Sequence, residues 1–60
     1  MRNPQRIKEI LKELEIFWYN NSNLRLGQII SNLSYELSGD NDPFFIEDDN
    51  ILTLLKNKNK

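Results

Sequence analysis

The sequence predicts an all-α domain, a small antiparallel helical hairpin with a short third helix, which we expect to form a dimer. Apolar residues recur at helical spacing in three segments, and polar or turn-forming residues separate those segments. The chain has 60 residues, so a lone core would bury only about 60% of the unfolded surface. Because cysteine and histidine are absent, disulfides and an ordinary zinc site are excluded as supplements, and a second subunit or partner is favoured.

The first helix is predicted over residues 4–19. Asn3 can accept a hydrogen bond from the first turn, and Pro4 suits the first helical position because its missing N–H would be unpaired there. Ile16 lies about 180° from Ile7 around the helix, so it is either a candidate interface residue or a single exposed isoleucine. The residues expected to face the core share an arc of about 120°; they are Ile7, Ile10, Leu11, Leu14, Phe17 and Trp18.

The second helix is predicted over residues 24–38, with Asn23 or Ser22 as its N-terminal cap and Gly39 just past its end. Tyr35 lies about 180° from the core-facing side of this helix, so it is a second candidate contact residue. The residues expected to face the core are Leu26, Ile29, Ile30, Leu33 and Leu37.

A turn-rich connection over residues 38–43 should reverse the chain, and Pro43 favours extended backbone at Asp42. The apolar run at residues 44–46 is either a strand-like anchor or a short helical turn, and we expect Phe44 or Phe45 to be buried. A third helix is predicted over residues 49–56, capped by Glu47 or Asp48, with core-facing Ile51, Leu54 and Leu55. The acidic residues at its start and the lysines at its end interact favourably with the helix dipole. Residues 57–60 should form a flexible tail.

Gly27 is an unusual residue in the second helical segment. A glycine inside a helix costs about 1 kcal/mol relative to alanine, so we expect close packing there, by Trp18 or by a helix of a second subunit. Neighbouring Arg25 and Gln28 are expected to be structural, tying the helix start to Glu47 or Asp48.

The composition argues against an enzyme. Without cysteine or histidine, no serine or threonine has an ordinary base to activate it, and the acids at residues 47–49 are more typical of a helix cap than of a catalytic pair. The acidic residues 40–42 do not continue as a calcium loop, because Phe44 and Phe45 occupy positions that need an oxygen ligand and glycine. We therefore predict no catalytic residues, cofactor or metal. The apolar runs are too short to span a membrane, and a cytoplasmic location is the default expectation.

Protein binding is the function that the residues favour. Residues 36–49 contain six acids and no basic residue, and such a window could dock on a basic site of a partner. A solvated acidic loop is the simpler interpretation and stays open. The residues predicted to bind a partner are Ile16, Tyr35, Asp40, Asp42 and Glu47. The alternative is a small nucleic-acid-associated regulator that uses basic residues, mainly Arg2, Arg6, Lys8 and Arg25, although the net charge of −1 argues against it.

The chain resembles an uncharacterised family of short helical proteins from bacteria and their phages. The resemblance rests on the Leu-Arg-Leu-Gly-Gln stretch at residues 24–28, followed by an aromatic-x-x-Glu-Asp segment at residues 44–48, and it covers nearly the whole chain. The chain departs from the family pattern at residues 21–23, where a proline is expected before the second helix. The family has no known activity, but by analogy with other short phage proteins the resemblance implies an inhibitor or modulator of a host protein.

Overall fold

The structure is a computed structural model that describes residues 3–60. It contains helix α1 (Gln5–Asn20), helix α2 (Leu26–Ser38), a short 3-10 turn (Pro43–Phe45) and helix α3 (Asp48–Lys58). All regular structure within the described residues is helical. The predicted all-α class with three helices is therefore confirmed.

The helix ends follow their capping residues. Asn3 Oδ1 accepts a hydrogen bond from the Gln5 N–H at 2.9 Å, as predicted for the start of α1. Gly39 follows α2 with a left-handed φ of 74°, which glycine adopts at little cost. The predicted cap of α2 was wrong, because the helix begins at Leu26, with Arg25 preceding it in extended conformation. The Gln28 side chain accepts the Arg25 N–H at 2.8 Å, so a residue of the first turn holds the residue that precedes the helix.

The segment before α3 is the short helical turn rather than the strand-like anchor. Asp42 is extended, with φ of −83° and ψ of 112°, as expected for a residue before proline. Helix α3 begins with Asp48 and Asp49 and carries Lys56 and Lys58 in its last turn, which is the predicted match to the helix dipole.

Helix α3 is longer than predicted and includes part of the expected tail. Its last residue is Lys58, and Asn59 follows it as a half-buried residue. The Asn59 amide donates to the Glu13 carbonyl oxygen at 2.8 Å and to Glu13 Oε1 at 3.0 Å. The end of the chain is thus tied to α1, and the prediction of a flexible tail from residue 57 did not anticipate this contact.

The core lies where the three helices meet. Ile29 and Leu33 of α2 and Leu55 of α3 are buried. Partly buried apolar residues surround them: Ile10, Leu14, Phe17, Leu24, Ile51 and Leu54. The most extensive helix contact is between α1 and α3, and α2 packs against α3. The predicted core-facing residues of α3 are all confirmed.

Polar contacts fix the direction of α3 along α1. Arg6 Nε lies 2.6 Å from Asp48 Oδ2 near the start of both helices, and Asn59 meets Glu13 farther along both. The two helices therefore run in the same general direction. Lys58 Nζ lies 2.8 Å from Glu36 Oε2 and ties the end of α3 to α2.

Only half of the predicted core-facing stripe of α1 faces the core. Ile10, Leu14 and Phe17 pack against the buried cluster, whereas Ile7, Leu11 and Trp18 are exposed. We call these three exposed residues the outer face of α1. The three packed residues lie along one edge of the apolar arc, so the buried cluster covers that edge and leaves the other in solvent.

The expectations for residues 25–28 need correction. A Cβ placed on Gly27 would meet no atom within 4 Å, so Trp18 does not pack against it. The Trp18 indole N–H instead donates to the Leu24 carbonyl at 2.9 Å and ties α1 to the connection before α2. The ion-pair partner of Asp48 is Arg6, and Arg25 does not take that role. None of the helices described over residues 3–60 is long and apolar enough to cross a membrane.

Candidate functional site

The segment between α2 and α3 is held in shape by two aspartates. Asp40 Oδ1 accepts a hydrogen bond from the Asp42 N–H at 3.0 Å, and Asp42 Oδ1 accepts one from the Phe44 N–H at 3.0 Å. Each carboxylate thereby closes a local turn that short polar side chains favour. The aspartates have a structural role here, and each still has lone pairs for a further partner.

Ser34 fixes this segment to the core side of α2. Its side chain is 0% exposed, and its hydroxyl lies 2.5 Å from the Asp40 carbonyl oxygen and 3.0 Å from the Asp42 carbonyl oxygen. A hydroxyl has one proton to donate, so the two carbonyls share it. Sequence reasoning missed Ser34, although it stands four residues after Ile30 and one after Leu33. A serine in the middle of a core-facing stripe was the available indication.

Phe44 and Phe45 project from this fixed segment into solvent. Phe44 is 80% exposed and Phe45 is 84% exposed, so the expectation that one of them is buried was wrong. Their ring centroids lie 4.9 Å apart with an interplanar angle of 77°, an edge-to-face contact. The rings contact each other and leave most of their surface in solvent. We call them the Phe44–Phe45 pair.

Beside this pair lies a groove of 290 Å³, which we call the acidic groove. Asp40, Asp42 and Glu47 line it together with Phe45, while Leu37 and Ile46 supply apolar surface. Three of the five residues predicted to bind a partner are therefore brought together. Their formal charge is −3, counted from the three carboxylates, and the groove thus combines negative charge with an exposed aromatic ring.

The other two predicted partner-binding residues lie elsewhere. Tyr35 of α2 is exposed and Ile16 of α1 is marginally exposed, as their positions off the core-facing stripes predicted. Neither lines the acidic groove. Whether they contact a partner stays a prediction, and the structure gives no reason to place them on the same surface as the acids.

A second, apolar groove of 470 Å³ runs along α1. Leu11, Leu14, Trp18 and Tyr19 line it, with Glu15 and Ser22 at its polar edge. The side chain of Trp18 is oriented by its hydrogen bond to the Leu24 carbonyl, so this wall is fixed. This exposure was not predicted, because Leu11 and Trp18 were expected to face the core.

One of the basic residues that the nucleic-acid alternative would use already forms an ion pair within the fold. Arg6 is half-buried and pairs with Asp48, so much of its charge is neutralised. Lys8 and Arg25 are exposed on different helices, and Arg2 lies outside the described residues. Over residues 3–60, no group of three or more potential ligand side chains is placed to hold a metal ion.

Comparisons with protein-family models, with curated protein sequences and with solved structures give no match to this chain. The assignment of function therefore depends on the surfaces described above.

Proposed function

We propose that this chain is a non-catalytic protein-binding module whose contact surface is the Phe44–Phe45 pair together with the acidic groove. The observation that carries the proposal is the exposure of two adjacent phenylalanines, at 80% and 84%, on a segment fixed by a buried serine. Large aromatic residues are enriched at interface centres, where they fill pockets on the partner.

The ordered turn that carries Phe44 and Phe45 supports a binding role for the two exposed rings. The turn is ordered by the Ser34, Asp40 and Asp42 contacts before any partner arrives. A partner that receives the two rings therefore does not have to order the segment, and association loses less conformational entropy. Exposed phenylalanines on such a turn contribute little to the core, so their presence is explained more directly by binding than by folding.

The charges indicate the chemistry of the partner. A protein surface that accepts the two rings would need an apolar pocket, and a rim of lysine or arginine would complement Asp40 and Asp42. Such complementarity mainly increases the association rate and selects among partners, whereas the buried rings supply most of the affinity. By analogy with the phage proteins that the chain resembles, we propose that the partner is a host protein and that binding inhibits or modulates it.

Two finer predictions belong to the same proposal. We propose that α1 and α2 form an antiparallel hairpin. The connection between them, residues 21–25, has five residues, and connections this short favour antiparallel neighbours. We also propose that the module is a homodimer, because few residues are fully buried within the described chain and the outer face of α1 is exposed.

The experiment is affinity capture from bacterial lysate with three forms of the chain, compared by quantitative mass spectrometry. The test variant is Phe44→Ala with Phe45→Ala. Tyr19→Ala is the matched control, because Tyr19 is an equally exposed aromatic residue that lies outside the acidic groove. We expect a set of proteins to be captured by the wild type and by the control but lost with the double variant. Equal capture by all three forms would contradict the proposal.

Charge is tested separately with Asp40→Asn and Asp42→Asn combined. Asparagine keeps the side-chain oxygen that accepts the Asp42 or Phe44 N–H, so the turn is retained while two charges are removed. Glu9→Gln combined with Glu15→Gln is the control for loss of two charges elsewhere, because both residues are exposed on α1 and lie outside the acidic groove. We expect the first variant to lower the association rate at low salt and the control to leave it unchanged. Equal rates for both would exclude electrostatic docking through the groove.

A further inference from the structure

The outer face of α1 forms, together with Leu14, a row of apolar residues with the spacing of a helix-pairing seam. Ile7, Leu11, Leu14 and Trp18 follow one another at intervals of four, three and four residues, the apolar repeat of two-stranded helix pairs. Ile7 is 50% exposed and Leu11 is 58% exposed. Leu14 lies at the edge between this seam and the core, where it also packs against the buried cluster.

We propose that this seam pairs with the same seam of a second copy and that the two α1 helices run antiparallel. The inference deepens the proposed homodimer by assigning its interface and orientation. The need for a second copy follows from the small core, in which only Ile29, Leu33 and Leu55 are buried apolar residues of the described chain. A self-complementary face is what a two-fold symmetric dimer requires.

The charges beside the seam select the antiparallel orientation. Lys8 and Glu15 are exposed and lie on the same flank of α1, at 60° and 40° from Leu11 if each residue turns the helix by about 100°. A two-fold axis between Leu11 and Leu14 brings Lys8 close to Glu15 of the partner subunit, and symmetry makes this contact twice. A parallel two-fold pair would instead place this flank on opposite sides of the seam in the two copies, so Lys8 and Glu15 would not meet across it.

The size of the seam sets the expected strength of the dimer. Helix α1 has 16 residues, which corresponds to a length of about 24 Å. One helix face of this length is smaller than the ~800 Å² per partner that stable interfaces bury. The dimer is therefore reversible, and its dissociation constant lies within reach of sedimentation at micromolar to millimolar concentrations.

The first test is sedimentation velocity of the full chain over concentrations up to about 1 mM. We expect the wild type to dimerise and Leu11→Lys to stay monomeric, because a lysine at the centre of the seam would bury two like charges. Ile16→Lys is the matched control, since Ile16 is an apolar residue of the same helix about 140° away from Leu11. A monomeric wild type, or a Leu11→Lys variant that dimerises as well as the control, overturns the proposal.

Exposed charges provide a test that does not depend on an apolar residue. Lys8→Glu and Glu15→Lys alone should each weaken self-association by about tenfold, and the two substitutions together should restore it. Both residues are exposed, so folding should be unchanged, and circular dichroism checks this. Failure of the double variant to recover the dimer contradicts the Lys8–Glu15 contact.

Orientation is tested by disulfide formation, since the chain has no native cysteine. A mixture of Lys8→Cys and Glu15→Cys proteins should form a cross-linked heterodimer faster than either variant cross-links with itself. A heterodimer that forms no faster than the self-cross-linked species would overturn the antiparallel arrangement. The monomeric Leu11→Lys variant should still capture the same proteins through the Phe44–Phe45 pair, so failure of the seam and failure of the proposed binding surface are distinguishable.

Discussion

Replacing Ser34 by alanine should loosen the segment that carries the Phe44–Phe45 pair. The Ser34 hydroxyl is fully buried and lies between the carbonyl oxygens of Asp40 and Asp42. Alanine keeps the helix and removes only this donor. The effect should therefore reach residues that stand six and eight positions along the chain, although α2 itself is unchanged.

The expected magnitude follows from the surroundings of the three residues. Removing one partner of a buried hydrogen bond costs about 1–3 kcal/mol. Asp40 and Asp42 are exposed residues, so water can reach their carbonyls in part and the lower half of that range applies. Alanine also favours the helix by up to ~0.7 kcal/mol. The free energy of unfolding should thus fall by about 1 kcal/mol, which corresponds to a decrease in Tm of about 4–8 °C for a domain of this size.

The assay is thermal unfolding followed by circular dichroism, together with amide hydrogen exchange at Asp42 and Phe44. Ser38→Ala is the control, because the Ser38 hydroxyl donates only to the Ser34 carbonyl of its own helix. We expect faster exchange at both amides and a lower Tm for Ser34→Ala alone. If the two variants had the same Tm and exchange rates, the assignment of Ser34 as the anchor of this segment would be refuted.

Three further predictions concern stability. Gly27→Ala should raise the free energy of unfolding by about 0.5–1 kcal/mol, because the added methyl group meets open space in a helix; a lower Tm would indicate a close contact at Gly27. Arg6→Gln should lower the free energy of unfolding by about 0.5–1 kcal/mol through loss of the contact with Asp48, whereas Lys8→Gln, at an exposed residue, should have no effect. The difference in stability between the two variants should be smaller in denaturation at high salt than at low salt. Phe44→Ala with Phe45→Ala should change the free energy of unfolding by no more than about 0.5 kcal/mol, since both rings are exposed. A loss of stability in urea denaturation as large as that of Leu33→Ala would mean that the rings belong to the core.

The sequence was sufficient for local structure because local structure depends on neighbouring residues. Asn3 caps α1, Gly39 ends α2 in the left-handed conformation, and Pro43 holds Asp42 extended. Each of these outcomes follows from the chemistry of one or two side chains and needs no knowledge of distant contacts. The start of α2 was predicted wrongly, because Asn23 is a common cap residue, whereas the helix begins at Leu26 and the Gln28 side chain accepts the Arg25 N–H.

The surfaces were harder to predict because they depend on which helix covers which face. Periodicity identified six apolar residues on α1 but could not indicate that only Ile10, Leu14 and Phe17 pack against the buried cluster. For the same reason Phe44 and Phe45 were assigned to the interior on hydrophobicity alone. Asp40, Asp42 and Glu47 were identified from charge, and the fold adds that they share a groove with Phe45.

The most direct test of the binding surface is the affinity of a captured partner, measured by titration calorimetry with purified proteins. Two aromatic residues at the centre of an interface should each contribute at least about 2 kcal/mol on truncation, so Phe44→Ala with Phe45→Ala should weaken binding by more than about 700-fold. Tyr19→Ala should leave the dissociation constant unchanged. An unchanged constant for the double variant, with Tyr19→Ala weakened instead, would show that the partner binds along α1 and that the Phe44–Phe45 pair is not the contact surface.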